Sequence, residues 1–187
     1  MLVEVLISFV YLTYFSKSDY KNNKRTAMTQ NTNNSVVILS AVRTAIGGFG
    51  GSLKDFSPAE LGTLCAKVAL NRSQLTPDQI GSCVVGKVIH NGPKDAYLSR
   101  VIGLDAGLPI SSHAVTLNRL CGSGLEAIIQ AAQQIQLGDV DAALAGGAES
   151  MSSSAYTLES NRWGPKCPTK AWILWLGTPR SGGRVRV

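Results

Sequence analysis

The chain has 187 residues, of which 44% are hydrophobic and 16% are charged, a composition that fits a globular protein and excludes a disordered one. The formal net charge of +6 lies at the two ends, since residues 1–27 carry +2 and residues 161–187 carry +6, which leaves −2 for the residues between them. Because the body of the chain is mildly acidic, we expect no nucleic-acid partner.

The first segment, MLVEVLISFVYLTYF, is apolar for about 14 residues but is interrupted by Glu4. It is too short to span a bilayer comfortably, and its positive charges follow the apolar run instead of preceding it as in a signal peptide. We therefore predict that residues 1–34 are a disordered or extraneous leader, with Met28 as an internal start and a targeting segment as the alternative. No membrane partner is expected.

Patterns typical of strands and helices alternate after the leader. Residues 35–44, SVVILSAVRT, are β-branched and bounded by polar residues, which predicts a buried strand. Residues 57–71 open with Ser57 as an N-cap and Glu60 three residues later, which predicts a helix that begins with a capping box. Cys65 recurs with the apolar residues of this helix at helical spacing, so we interpret it as a core residue.

The remaining segments continue the alternation. Residues 82–89, SCVVGKVI, predict a strand with Cys83 in the core, and AYLSRVIGLDAG predicts a helix that ends at Gly107. Residues 112–120 alternate as a strand, and VDAALAGGAESM predicts a final strand and loop. This order predicts an α/β layered fold, with a mostly parallel sheet and helices on its faces.

One cysteine lies at a predicted strand–helix junction. In NRLCGSGLEA, Cys121 precedes a Gly-Ser-Gly turn and a helix that is predicted to stop at Gly138. Glu126 is the only charged residue between positions 121 and 137, which predicts a helix sandwiched between layers. Its predicted apolar face comprises Leu125, Ile128, Ile129, Ala132 and Ile135.

The position of Cys121 suits nucleophilic chemistry. Unpaired backbone N–H groups and the helix dipole at a helix N-terminus favour a thiolate, which is the nucleophilic form of cysteine. The same N–H groups can hold an oxyanion that forms at an attacked carbonyl, and Gly122 and Gly124 leave room for a substrate. The pattern indicates acyl transfer through a thioester, with a structural cysteine at a tight turn as the alternative.

Four stretches resemble one family in order and spacing. NRLCGSGLEAI is similar to the nucleophile motif of the thiolases, which are acyl-CoA C-acyltransferases. SAVRTAIGGFGGSLKD resembles the opening strand and loop of that family, GGAESMS the strand and loop after the nucleophile helix, and RWGPK a further family segment. GKVIHNGPKDAYLSRVIGL resembles bacterial β-ketothiolases within the family. The resemblance covers residues 35–166 and implies the N-terminal half of a thiolase fold.

The resemblance implies that Cys121 carries the acyl group between two half-reactions, with coenzyme A as substrate and no separate cofactor. It also implies an enzyme of fatty acid metabolism that is homo-oligomeric at full length, whereas the cytoplasmic location that we expect rests on cysteines that need not form disulfides. The family's activating histidine and second catalytic cysteine belong to its second half, and neither His90 nor His113 nor Cys167 matches them. We therefore expect a truncated chain that is inactive or very weak alone, or a non-catalytic interaction subunit.

Other classes of site find little support. GGFGGS, residues 47–52, lacks the G-x-G-x-x-G spacing of a dinucleotide-binding loop. The four cysteines form no CxxC pair and the histidines are not at zinc-ligand spacing, so we predict no metal site and reduced thiols. Residues 167–187 contain no acidic residue and show no periodicity, which predicts an unrelated, disordered basic tail.

Overall fold

A computed structural model describes residues 9–15, 36–157 and 172–173. The strands are β1 (Phe9–Phe15), β2 (Val36–Arg43), β3 (Ser82–Gly86), β4 (His113–Leu117), β5 (Ala142–Gly147), β6 (Tyr156–Thr157) and β7 (Trp172–Ile173). The helices are α1 (Pro58–Ser73), α2 (Leu98–Asp105) and α3 (Ser123–Leu137). Single 3₁₀ turns occur at Pro77–Gln79, Asp95–Tyr97 and Met151–Ser153.

Five strands form one sheet in the order β2-β1-β5-β3-β4. β3 runs parallel to both β4 and β5, whereas β1 runs antiparallel to β2 and β5. β2 therefore points in the same direction as β3, β4 and β5, and β1 alone is reversed. The predicted α/β fold with a mostly parallel sheet is confirmed.

Helices cover both faces of the sheet. β5 separates the two layers by the alternation of its side chains: Ala142 and Leu144 belong to the apolar cluster beneath α1 and α2, and Ala143 and Ala145 to the cluster beneath α3. The carboxyl ends of β3, β4 and β5 meet at one edge, and the loops that follow them converge there.

Helix α1 begins as its sequence predicts. Ser57 Oγ accepts a hydrogen bond from the N–H of Glu60 (3.2 Å), and Glu60 Oε2 accepts one from the N–H of Ser57 (2.8 Å), which closes the predicted capping box. The hydrogen bonds from Ser57 hold the pKa of the Glu60 carboxyl below its ordinary value. Cys65 is buried in the core, as predicted.

Helix α3 spans the predicted residues and ends at Gly138, which takes the left-handed conformation (φ 83°). Its buried face, however, is Ser123, Ala127, Ala131 and Ile135, whereas Leu125 is 63% exposed. The small residues let α3 approach the sheet closely and turn the larger ones outward. The predicted apolar face therefore points partly to solvent, and the sandwiched arrangement is absent from the part of the chain that the structure describes.

The predicted leader and tail are described only in part. Residues 9–15 lie within the predicted leader, where disorder was expected, yet their backbone forms β1 inside the sheet. In the predicted tail, residues 172–173 form β7 and pair antiparallel with β6, and the rest of both segments lies outside the described residues. The division into leader, domain and tail stays a prediction. No described helix has the length and apolar character needed to cross a membrane.

Candidate active site

Cys121 lies on the turn that connects β4 to α3, at the edge of the sheet where the parallel strands end. Its side chain is exposed, and α3 begins two residues later at Ser123. No described residue hydrogen-bonds to its sulfur. The junction predicted from NRLCGSGLEA is present, and a nucleophile on this turn is open to a substrate.

Ser123 holds the turn that presents Cys121. Its Oγ accepts a hydrogen bond from the N–H of Arg119 (2.8 Å) and donates one to the carbonyl oxygen of Leu120 (2.7 Å). Leu120 takes a left-handed conformation (φ 49°), which is rare for a bulky residue and costs about 1–2 kcal/mol. The two hydrogen bonds offset that cost, so Ser123 stabilises a strained turn directly before the thiol.

No described side chain caps the N-terminus of α3. The N–H groups of Gly122 and Ser123 donate to the carbonyl oxygens of Arg119 (3.1 Å) and Leu120 (3.0 Å), so the turn itself uses them. The next two, of Gly124 and Leu125, have no acceptor within the described residues. Open space surrounds the position of a Cβ at Gly124. Within the described residues, the N–H groups available to an oxyanion at this helix end are therefore those of Gly124 and Leu125.

Two glycines bring this helix end against the sheet. A Cβ at Gly86, the last residue of β3, would lie 2.6 Å from the backbone carbon of Ser123. A Cβ at Gly147, the last residue of β5, would lie 3.4 Å from the Cα of Gly124. Neither glycine is among the predicted site residues, yet their lack of side chains sets the position of the Cys121 turn.

A buried lysine supports the same edge. The side chain of Lys87 is fully buried, and its Nζ lies 2.7 Å from Glu149 Oε1, 3.0 Å from Asn91 Oδ1 and 3.7 Å from Asp95 Oδ2. Such a charge is tolerated inside a protein because it is paired and hydrogen-bonded. The cluster joins the loop after β3 to the loop after β5.

The cluster reaches the Cys121 loop through the backbone. Glu149 also accepts hydrogen bonds from the N–H groups of Val88 (3.0 Å) and Ile89 (3.4 Å), and Val88 O accepts one from Asn118 Nδ2 (3.4 Å). Neither Lys87 nor Glu149 was predicted as a site residue. The sequence did contain a signal for them, because each is a charged residue that follows an apolar strand. Adjacent parallel strands end side by side, so two such residues are expected to lie close together.

The other described cysteines are unsuited to chemistry. Cys65 and Cys83 are 2% and 1% exposed. Burial raises the pKa of the Cys83 thiol to about 12 and raises that of Cys65 as well, which disfavours the reactive thiolate. Cys121 is thus the accessible thiol among the described residues, and Cys167 lies outside them.

Neither described histidine hydrogen-bonds to Cys121, and His113 lies at the far end of β4 from it. His113 begins β4, roughly 13 Å along the strand from the end that leads to Cys121. A cleft of about 360 Å³ lies beside His113 and is lined by Arg100 and residues 110–114. His90 is exposed in the loop after β3, and neither imidazole hydrogen-bonds to Cys121 in the described part of the chain. Within those residues, no group of three or more His, Cys, Asp or Glu side chains is arranged to hold a metal ion.

Comparison with known proteins gives a consistent result. Residues 36–172 match the family model described as the N-terminal domain of thiolase. Beta-ketothiolase BktB of Cupriavidus necator is 55% identical over 131 residues, which are 70% of this chain and 33% of that protein.

Solved structures show the same relation. The acetyl-CoA acetyltransferase of Bacillus anthracis superposes with a TM-score of 0.67 at 40% identity, over 71% of this chain and 33% of that one. Human mitochondrial 3-ketoacyl-CoA thiolase in complex with CoA gives a TM-score of 0.65 at 28% identity, over 92% of this chain and 36% of that one. The chain thus spans about a third of the length of the relatives that it matches.

Proposed function

Since this chain belongs to the thiolase family, we propose that it serves acyl transfer between coenzyme A thioesters, with Cys121 as the nucleophile. One observation carries the proposal: an exposed thiol precedes the uncapped N-terminus of α3, on a turn fixed by Ser123. The relatives' names support an acyl-CoA substrate, since they include acetyl-CoA acetyltransferases and 3-ketoacyl-CoA thiolases.

The first half-reaction is a thioester exchange. The Cys121 thiolate attacks the carbonyl carbon of acyl-CoA, and the developing oxyanion is stabilised by the N–H groups of Gly124 and Leu125, which have no acceptor among the described residues. The new bond joins the acyl carbon to the sulfur of Cys121, the bond to the coenzyme A sulfur breaks, and coenzyme A leaves as a thiolate that takes up a proton.

The second half-reaction makes a carbon–carbon bond. In the synthetic direction the enolate of a second acetyl-CoA attacks the acyl carbon, and the sulfur of Cys121 departs. In the degradative direction the steps run in reverse, and a 3-ketoacyl-CoA is cleaved. This chemistry belongs to fatty acid metabolism, and a cytoplasmic location stays a prediction.

We propose that the chain alone performs the second step slowly or not at all. The enolate requires a base beside the acyl group, and neither His90 nor His113 is bonded to the Cys121 turn in the described residues. Loss of one member of a catalytic unit removes most of its rate. The chain then represents the nucleophile-bearing part of the thiolase unit, and homo-oligomers of the full-length type stay a prediction.

A non-catalytic interaction subunit is the second candidate, and the outer face of α3 favours it. Leu125 and Ile129 are 63% and 38% exposed on a helix with one charged residue, an arrangement typical of a protein-binding surface, and the candidate takes a second copy of this chain as the protein that covers it. Leu125→Lys should abolish self-association in size-exclusion chromatography, whereas Leu64→Lys, equally exposed on α1, should leave it unchanged. Equal elution of both variants and the parent as monomers would remove this candidate.

Acylation of the protein tests the main proposal. The chain is incubated with acetyl-CoA and then digested, and its peptides are mapped by mass spectrometry. We expect an acetyl thioester on the peptide containing Cys121, released by hydroxylamine, and no adduct in Cys121→Ser. Cys65→Ala is the matched control, and it should acylate like the parent. Acetylation that persists in Cys121→Ser, or none in the folded parent, would contradict the proposal.

A further inference from the structure

Strand β1 lies inside the sheet, with β2 on one side and β5 on the other. Tyr11 pairs with Ala41 of β2 and with Ala145 of β5, and the ladders on the two sides extend over residues 9–15 and 9–14. The ladder to β2 shifts register once, between Leu12 and Thr13. β1 is also the one strand of this sheet that runs opposite to the other four.

β1 lies in the interior of the sheet, although its residues precede the part of the chain that matches the family. The match to the thiolase family begins at residue 36, so β1 precedes it while β2 and β5 lie inside it. Those two strands pair with β1 and not with each other. The family region that the structure describes therefore contains a gap in its sheet, one strand wide, which residues from outside that region fill.

The gap exposes backbone hydrogen-bonding groups that need partners. β2 hydrogen-bonds to no described strand other than β1, so an empty gap would leave its backbone groups and one side of β5 without partners. Helix α1 contacts β1 from one face of the sheet and α3 from the other, so the gap is bounded above and below as well as on both sides. It fits one extended segment of about seven residues.

We propose that β2 and β5 form an acceptor site for a single antiparallel strand, and that residues 9–15 of this chain are its occupant. Main-chain hydrogen bonds on both sides supply the affinity, as in proteins that complete a sheet with a donated strand. The segment is then part of the folded domain, and the same segment binds this site when it is supplied as a separate peptide.

A proline in β1 of the full chain tests the proposal. Tyr11→Pro removes one ladder hydrogen bond and does not fit a central strand, whereas Tyr11→Ala shortens the side chain and keeps the N–H. In Tyr11→Pro we expect amides of residues 36–43 and 142–147 to exchange with deuterium at least about tenfold faster than in Tyr11→Ala. Amides of residues 113–117, which pair with β3, should change little.

A synthetic peptide of residues 5–19 provides the second measurement. Added to Tyr11→Pro, or present while that variant refolds from urea, it should restore slow exchange in residues 36–43, and the same peptide with proline at position 11 should not. Equal exchange in Tyr11→Pro and Tyr11→Ala, or equal effects of the two peptides, would overturn the proposal. Neither readout involves Cys121, so the result is independent of the proposed acyl transfer.

Discussion

Helices α1 and α3 begin in opposite ways, although both pack on the same sheet. The N-terminus of α1 is closed by its own side chains, through the reciprocal hydrogen bonds of Ser57 and Glu60. The N-terminus of α3 has glycine at the cap position, and no acceptor among the described residues binds the N–H groups of Gly124 and Leu125 beside Cys121. The first arrangement stabilises the helix by itself. The second leaves N–H donors for a ligand, so hydrogen bonds of Ser123 and of the surrounding loops must stabilise this helix end.

The largest expected effect is a difference in alkylation rate between Cys121 and the two buried cysteines. Cys121 precedes α3 and is exposed, whereas Cys65 of α1 and Cys83 of β3 are buried and their thiol pKa values are raised. In the folded protein at pH 7.5, iodoacetamide should therefore alkylate Cys121 on the order of a hundredfold faster than either. Peptide mapping by mass spectrometry over time measures the three rates.

The pH dependence sharpens that test. With its pKa at about 12, Cys83 is protonated throughout the range from pH 7 to pH 10, so raising the pH should not bring its rate up to that of Cys121. In urea all three rates should converge, because burial no longer distinguishes them. Faster alkylation of Cys65 or Cys83 in the folded chain would contradict the assignment of Cys121 as the accessible, reactive thiol.

Loss of the buried lysine beneath the α3 end should have the next largest effect. Lys87→Met leaves the carboxylates of Glu149 and Asp95 without their cation, and breaking a buried ion pair in this way costs about 3–5 kcal/mol. Lys67→Met, at an exposed position of α1, should change the free energy of unfolding by less than about 0.5 kcal/mol. Urea denaturation followed by circular dichroism compares the two variants, and equal midpoints would exclude the supporting role of the cluster.

Substitutions of two glycines should also differ, one in β3 against the start of α3 and the other within α1. A Cβ at Gly86 meets the backbone of Ser123 at 2.6 Å, whereas a Cβ at Gly62 of α1 meets the flexible end of the Ile102 side chain at 2.3 Å. Backbone cannot yield as a side chain can, so we expect Gly86→Ala to lower the free energy of unfolding by about 2–3 kcal/mol and Gly62→Ala by about 1 kcal/mol or less. Gly86→Ala should also change the rate of Cys121 alkylation, and an unchanged rate would show that the turn does not depend on this close approach.

The same contrast explains what could be predicted from sequence. The start of α1 was predicted correctly because a capping box is a local pattern, and the Cys121 junction because Gly-Ser-Gly separates two clear periodicities. The position of β1 could not be predicted, since the ladder that sets it beside β5 joins residues 9–14 to residues more than 120 positions away. The buried side of α3 was predicted only in part, because apolar size suggested Leu125 where close packing against glycines selects Ala127 and Ala131.

The smallest expected effect compares two serines, one at the start of each helix. Ser57→Ala opens the capping box of α1 and should lower the free energy of unfolding by about 1 kcal/mol, with no change in Cys121 alkylation. Ser123→Ala removes two hydrogen bonds that hold the left-handed Leu120, so it should cost about 2 kcal/mol and also alter the alkylation rate. Only the second serine acts on the thiol.

The effects of the two serine substitutions on the free energy of unfolding should also differ in their pH dependence. The pKa of Glu60 is lowered in the folded state by hydrogen bonds from Ser57, so their stabilising effect is present above the ordinary pKa of 4.5 and is lost as the pH falls through the lower folded value. Ser57→Ala removes the hydroxyl bond to Glu60 and keeps the backbone one, so its difference from the parent should shrink below about pH 4.5 by the part that the hydroxyl bond contributes. The difference of Ser123→Ala, which rests on uncharged partners, should persist. Urea titrations at pH 7 and pH 3.5 measure both differences. A difference for Ser57→Ala that is unchanged at pH 3.5 would show that the hydrogen bond from the Ser57 hydroxyl to the ionised Glu60 does not contribute to the cap, since the backbone N–H at position 57 still binds Glu60 in the variant.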